Sequence, residues 1–220
     1  MGYVTPGTVA AGDVATAAAW NVITNDILQF APFVQGVFTT EAVRDAAITS
    51  PTEGMHAYIT ASTIAAATGA TTAVPTGIQT IYNGAAWVCI TPIGAATIAD
   101  GATTSTAFSA TLTGSPGTNP SVTLSTGTTV LLSLSSNTYG NATLTGYISC
   151  AVSGASTRAG STEDLEMYLP ATSVGNSYQS SFILTGLTAG TNTFTLQYAN
   201  GNSGQTVNFR RRRIVVTGIA

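Results

Sequence analysis

The run Arg210-Arg211-Arg212-Arg213 is the densest charge in the chain, and every basic residue of the protein is an arginine. Guanidinium groups stay ionised, bind carboxylates through paired hydrogen bonds and are more weakly hydrated than ammonium groups. Phe209 before the run and Ile214-Val215-Val216 after it place it inside a strand, where two arginines point to each face. One pair must then meet a sandwich interior, a subunit interface or a covering carboxylate. Glu163, Asp164 and Glu166 form the one acidic cluster and are the natural partners, within a protomer or across protomers. A nucleic-acid or anionic-glycan patch is the alternative use of the arginines. Paired carboxylates can also hydrolyse glycosides, or hold Ca²⁺ beside backbone carbonyls. A solvated strand entry, or ion pairing with Arg158 or the arginine run, is the plainer expectation for the acidic cluster.

Other chemistry is scarce. His56 is the only histidine, and a strand residue facing solvent or a neighbour is expected there rather than a ligand or a base. The chain has no lysine, which removes Schiff-base and P-loop chemistry, and no Gly-x-Ser-x-Gly elbow supports a triad. Cys89 and Cys150 read as two buried small hydrophobes rather than as a disulfide. Sugar binding wants aromatic faces beside polar donors, and Tyr139, Tyr147, Tyr168, Tyr178 and Tyr198 supply them in or near loops. No catalytic residue, metal site or cofactor is expected, with Ca²⁺ the one ion that the acidic cluster invites.

The elements that must position these groups follow from composition and pattern. Ala, Gly, Thr and Ser make up 115 of 220 residues, and charged side chains only 7%, against roughly 25% in an ordinary domain. A chain so poor in charge hides much of its surface against other chains. With 44% apolar residues and a net charge of −3 it is no disordered polyelectrolyte. Neither a secretory signal nor a membrane-spanning stretch is expected.

A helix is predicted over 13–30, its apolar stripe Trp20, Ile23, Ile27 and Phe30 facing either a core or copies of itself. A short helix at 40–48 ends at Ser50-Pro51. A strand at 55–59 and a hairpin at 78–90 around Asn83-Gly84 follow, with 62–77 a low-complexity linker. From about residue 95, eight strands are expected at 106–113, 121–125, 129–134, 142–152, 164–169, 178–185, 193–198 and 206–217. They suggest an antiparallel sandwich with no unpaired edge, jelly-roll being the leading case. The fold class is therefore mainly β, a small α+β part over 1–95 followed by a β-sandwich over 96–220. Charge divides as −4 and +1 between the two parts, so only the arginine run attracts anions.

Three segments carry a resemblance. Gly7-Thr8-Val9-Ala10-Ala11-Gly12-Asp13-Val14-Ala15-Thr16-Ala17-Ala18-Ala19-Trp20-Asn21, followed by Asn25-Asp26-Ile27-Leu28, resembles the opening of tailed-bacteriophage virion proteins. Ser50-Pro51-Thr52-Glu53-Gly54-Met55-His56-Ala57-Tyr58, continuing to Ile81-Tyr82-Asn83-Gly84-Ala85-Ala86-Trp87, is similar to a second phage module, in which a Pro-x-x-Gly turn precedes a strand and a hairpin. The stretch 184–198 is similar to the last hairpin of phage fibre and spike sandwiches.

The resemblance implies a virion structural protein, often trimeric, with an N-terminal attachment part and an exposed C-terminal part. No long shaft is present, so a short spike, a head decoration or a minor tail protein fits better than a long tail fibre. The expected partners are sister copies in a homotrimer and other virion proteins of head, neck or tail. The virion, assembled in the bacterial cytoplasm, is the expected location. Host surface glycan, taken up by the sandwich during host attachment, is the alternative partner. Nucleic acid and membrane insertion are not expected.

Overall fold

The computed structural model describes residues 36–140, 143–169 and 175–219. The helix expected at 13–30, with Trp20, Ile23, Ile27 and Phe30, lies outside them.

Period-two patterning builds the main body. In β10 (Ser121–Thr126) Val122, Leu124 and Thr126 are buried, and in β15 (Gly190–Asn200) so are Asn192, Phe194, Leu196 and Tyr198. These two strands pair antiparallel, and β12 (Leu144–Gly154) and β13 (Leu165–Leu169) extend their sheet in the order β13-β12-β15-β10. A second sheet faces it, made of β14 (Asn176–Leu184), β11 (Thr129–Gly140), β16 (Val207–Ile219) and β7 (Ile93–Thr97) in that order. With these eight strands numbered 1 to 8 along the chain, the sheets run 1-8-3-6 and 2-7-4-5, which is the jelly-roll arrangement of two Greek keys. The inner faces share one core of Leu124, Leu132, Leu134, Ile148, Met167, Phe194, Phe209 and Ile214. Each such side chain contributes about 1.5–3 kcal/mol on burial.

The eight jelly-roll strands begin with β7 at Ile93, two residues before the expected boundary at 95. The run 62–77 is not a free linker. It supplies β3 (Ala66–Thr68), which pairs with β10, and β4 (Thr71–Ala73), which pairs with β7. Thr and Ala there satisfy their backbone groups on sheet edges. The strand expected at 106–113 is mostly absent. Ser105 and Ser109 turn their hydroxyls onto the amides of Ala107 and Thr111, which competes with a ladder. Only Ser109 bridges to Tyr198, and β9 (Thr113–Gly114) pairs with β8 (Gly101–Thr103).

Ahead of the sandwich, β1 (Gly36–Phe38), β2 (His56–Ile59), β5 (Ile78–Tyr82) and β6 (Trp87–Cys89) form a small sheet beside α1 (Glu41–Ala47). The hairpin at Asn83-Gly84 differs from the expected two-residue turn. Tyr82 pairs with Trp87, leaving a four-residue loop in which the Asn83 side chain accepts from the amides of Ala85 and Ala86. The small sheet is seated on the sandwich through β6. Ser125 Oγ donates to the Trp87 carbonyl at 2.6 Å, and a side chain on Gly218 would run into the carbonyl oxygen of Cys89.

Thr40 caps α1, and the buried carboxylate of Glu41 accepts from the Ser62 hydroxyl and from the amide and hydroxyl of Thr63. Burial pushes the Glu41 carboxyl up, but these hydrogen bonds together outweigh it and hold it below its ordinary value of 4.5. A lowered value stabilises the fold above the unfolded carboxylate range, and that share is lost as pH falls through the folded value. The stability advantage of the natural chain over Glu41→Gln is therefore expected to shrink as urea unfolding is repeated from pH 7 to below 4.5. An advantage constant across that range would contradict this.

Candidate functional site: an arginine-edged sheet face

The outward side chains of the β14-β11-β16-β7-β4 sheet stand in cross-strand rows. One row is Gln179, Ser135, Arg213, Ala96 and Thr71. The next is Ser181, Ser133, Val215, Gly94 and Ala73, with the Ser133 and Ser181 hydroxyls 2.7 Å apart. A third carries Ile183, Leu131 and Thr217, and here Ile183 is 60% exposed. The face is thus apolar at one end and cationic at the other.

A β-bulge makes the cationic end. Ser135 pairs with Arg213 but Asn137 pairs with Arg210, so two residues of β16 oppose Ser136 alone. Arg211 takes up the extra residue with φ 51°, the one left-handed residue other than glycine among the described residues. That conformation costs an L-residue about 1–2 kcal/mol. The bulge breaks the expected two-and-two split: Arg210, Arg211 and Arg213 are exposed, and Arg212 alone turns inward.

Arg212 is fully buried and has no carboxylate partner among the described residues. It fills the gap where β16 changes neighbour, from β7 ending at Thr97 to β8 starting at Gly101. Its guanidinium donates to the carbonyls of Pro116 and Ala99 and to the Tyr198 hydroxyl, and lies 5.3 Å from the Tyr198 ring centroid. Burial raises the Tyr198 phenol well above its usual range.

The acidic cluster does not reach the run within the chain. Asp164 is buried and committed to Arg158, with oxygens 2.5 and 2.9 Å from its two terminal nitrogens, and also accepts from the Ser149 hydroxyl and the Cys150 amide. These hydrogen bonds hold Arg158 still more firmly protonated than usual. Burial takes Asp164 and Arg212 out of any pairing across protomers as well. Glu163 and Glu166 are exposed, as are the other three arginines. No three His, Cys, Asp or Glu side chains converge on a common point among the described residues.

The tyrosines separate by depth. Tyr198 is wholly buried and cannot face a sugar. Tyr178 packs against the core edge and donates to the Tyr168 carbonyl, tying β14 to β13. Tyr147 stands edge-on to Phe108. Tyr139 donates to Asp100 and lies under Arg210, and the Asp100 hydrogen bond raises its phenol. Tyr168 is 67% exposed. His56 is half-buried on β2 beside a shallow depression with Val37 and Gln79. Cys89 and Cys150 are unlinked and buried, which pushes Cys89 up to about 11.

Sequence reasoning missed the neutral members of the face. Arg211 and Arg213 form a ridge between two depressions. One, of about 290 Å³, is lined by Ser135, Asn137, Ser177, Tyr178 and Gln179. The other, of about 540 Å³, is floored by Ala73, Gly94, Ala96 and Ile98. Arg210 is held flat beside the first, its Nε donating to Asn137 Oδ1 at 2.5 Å.

Fold and face together define a jelly-roll domain with a cationic, hydroxyl-rich sheet surface. No family model and no curated protein matches the sequence. Solved structures resemble it in part. Eiger TNF from S. frugiperda is 15% identical over 46% of this chain and 64% of that one, with a TM-score of 0.33. The CBM22-1 xylan-binding domain of Xyn10C from Paenibacillus barcinonensis is 8% identical over 58% and 87%, at 0.28. The C-terminal CBM6 of LamC from Zobellia galactanivorans is 13% identical over 58% and 99%, also at 0.28. This chain therefore spans slightly under two thirds of the TNF. At such identities and TM-scores the likenesses carry no argument about the site.

Proposed function

We propose that the protein is a non-catalytic structural component of a tailed-bacteriophage particle. It acts as a homotrimeric short spike, fibre or decoration protein, attached through its N-terminal part and displaying the jelly roll. The resemblance of 7–28 and 50–87 to virion proteins supports the phage assignment. The observation that carries assembly is the outer edge of β14. Natural sandwiches blunt such edges with charge, proline or short strands, whereas β14 runs nine residues, Asn-Ser-Tyr-Gln-Ser-Ser-Phe-Ile-Leu, with none of these. Among the described residues no strand pairs with that edge, whereas a sandwich with no unpaired edge is the expectation from sequence. An open edge beside exposed Ile183 and Leu131 suits a neighbouring copy.

Imaging the intact particle at side-chain resolution tests the proposal, with density for the jelly roll in threefold sets expected. Particles that carry no such density would contradict it. In solution, the double variant Ser181→Lys with Ile183→Lys is expected to dissociate the trimer into folded monomers, because both side chains are exposed in the single chain. A trimer that survives both lysines would place the contact elsewhere.

A second reading is host-glycan recognition by the sandwich. It is favoured by the polar depression beside the arginine ridge, which offers hydroxyl and amide groups to a sugar ring.

A further inference from the structure

We infer that the bulged arginine ridge is a binding site for an acidic saccharide, a sugar bearing a carboxylate or sulfate. This rests on the glycan-recognition reading and adds to it the place and the charge of the ligand. Regular alternation would put two of the four arginines outward. The bulge puts three there, at the expense of a left-handed Arg211. No carboxylate lies within 4 Å of Arg210, Arg211 or Arg213 among the described residues, so their charge is not used up inside the chain. Arg210 is held in place by Asn137 and by the Tyr139 ring, with Asp100 on the far hydroxyl of that ring. A fixed guanidinium plane suits bidentate capture of a carboxylate or sulfate.

The neighbours define the rest of the ligand. Ser135, Ser177 and Gln179 present donors and acceptors matched to sugar hydroxyls along a depression of about 290 Å³, and Asn137 holds Arg210 and Ser177 in place beside it. A nucleic acid would ask for a longer basic track. The chain has a pI near 4.8, no lysine, and no other exposed basic group among the described residues outside this ridge.

The test is calorimetric titration of the full chain with sialylated, uronate-bearing and sulfated oligosaccharides, each beside its neutral counterpart, and with a single-stranded oligothymidine. At least one acidic sugar is expected to bind tenfold or more tighter than its neutral counterpart. That affinity should fall at least tenfold in Arg211→Ala with Arg213→Ala, and should weaken with added salt. Arg211→Gly should bind at least fivefold more weakly while melting no lower than the natural chain, since glycine relieves the left-handed residue. A merely structural arginine would lose stability instead. If neutral and acidic sugars bind alike and the arginine variants change nothing, this site is overturned while glycan recognition stands. If no sugar of either kind binds, both are overturned. Tighter binding of the oligothymidine than of every sugar would overturn the saccharide assignment alone.

Discussion

Arg212→Ala is expected to destabilise the fold by about 3–5 kcal/mol, the range for emptying a large, fully buried side-chain site. Three losses add up there. The side chain closes the gap between β7 and β8, so its removal leaves a cavity against Tyr198. The carbonyls of Ala99 and Pro116 lose their donor. The seam where β16 changes partner loses the side chain that ties it to Ala99 and Pro116. Arg212→Lys is expected to recover less than half of the loss, because a single ammonium cannot span both carbonyls and the Tyr198 hydroxyl. Equilibrium urea unfolding measures each. A loss below 1 kcal/mol for the alanine variant would show that the buried guanidinium costs the fold as much as it contributes. That outcome has a physical route, since Arg212 Nε and the neighbouring Thr97 hydroxyl are buried without a partner among the described residues.

Asp164→Asn ranks next, at about 3 kcal/mol, the lower end for breaking a buried ion pair. The carboxylate gathers Arg158, Ser149 and the Cys150 amide, and so joins the loop after β12 to the start of β13. An amide keeps the shape but leaves the guanidinium uncompensated and turns a donor toward the Ser149 hydroxyl. Arg158 keeps 24% of its side chain in solvent, which moderates the loss. Arg158→Met with Asp164→Leu is expected to recover part of it, because the two charges leave together. Unfolding midpoints in urea at neutral pH compare the three chains, and a double variant no better than Asp164→Asn would contradict the ion-pair account.

How far the sequence carried depended on how locally each feature is specified. Strands such as 121–125 and 164–169 were legible because each inward hydrophobic residue alternates with Thr, Ser, Glu or Tyr, and the structure places them at Ser121–Thr126 and Leu165–Leu169. The jelly-roll class followed from strand number and turn spacing. Low-complexity Ala/Thr residues at 66–73 carry no period, and only their partners on β10 and β7 make them strands. The arginine run was legible as a strand but not as a bulge, because the left-handed residue is Arg211 rather than the glycine that marks such positions. For the acidic cluster, pairing with Arg158 was already among the plainer expectations; the sequence left open only whether the arginine run would compete for it. Arg158, six positions from Asp164, already holds that carboxylate. The neutral members of the face, Ser135, Asn137, Ser177 and Gln179, sit on strands distant in sequence from the arginines. Register alone unites them.

The apolar and cationic ends of one sheet face give the two proposed roles separate footholds. Leu131, Ile183 and the bare β14 edge suit a sister copy, while Arg210, Arg211 and Arg213 suit a ligand at the other end. A homotrimer that buries the first and leaves the second open would present three acidic-sugar sites on one particle appendage.

Light scattering of the purified full chain across a hundredfold range of concentration weighs that arrangement most directly. The expected result is a constant mass three times the 22.2 kDa of one chain. A mass of one chain at every concentration would contradict it.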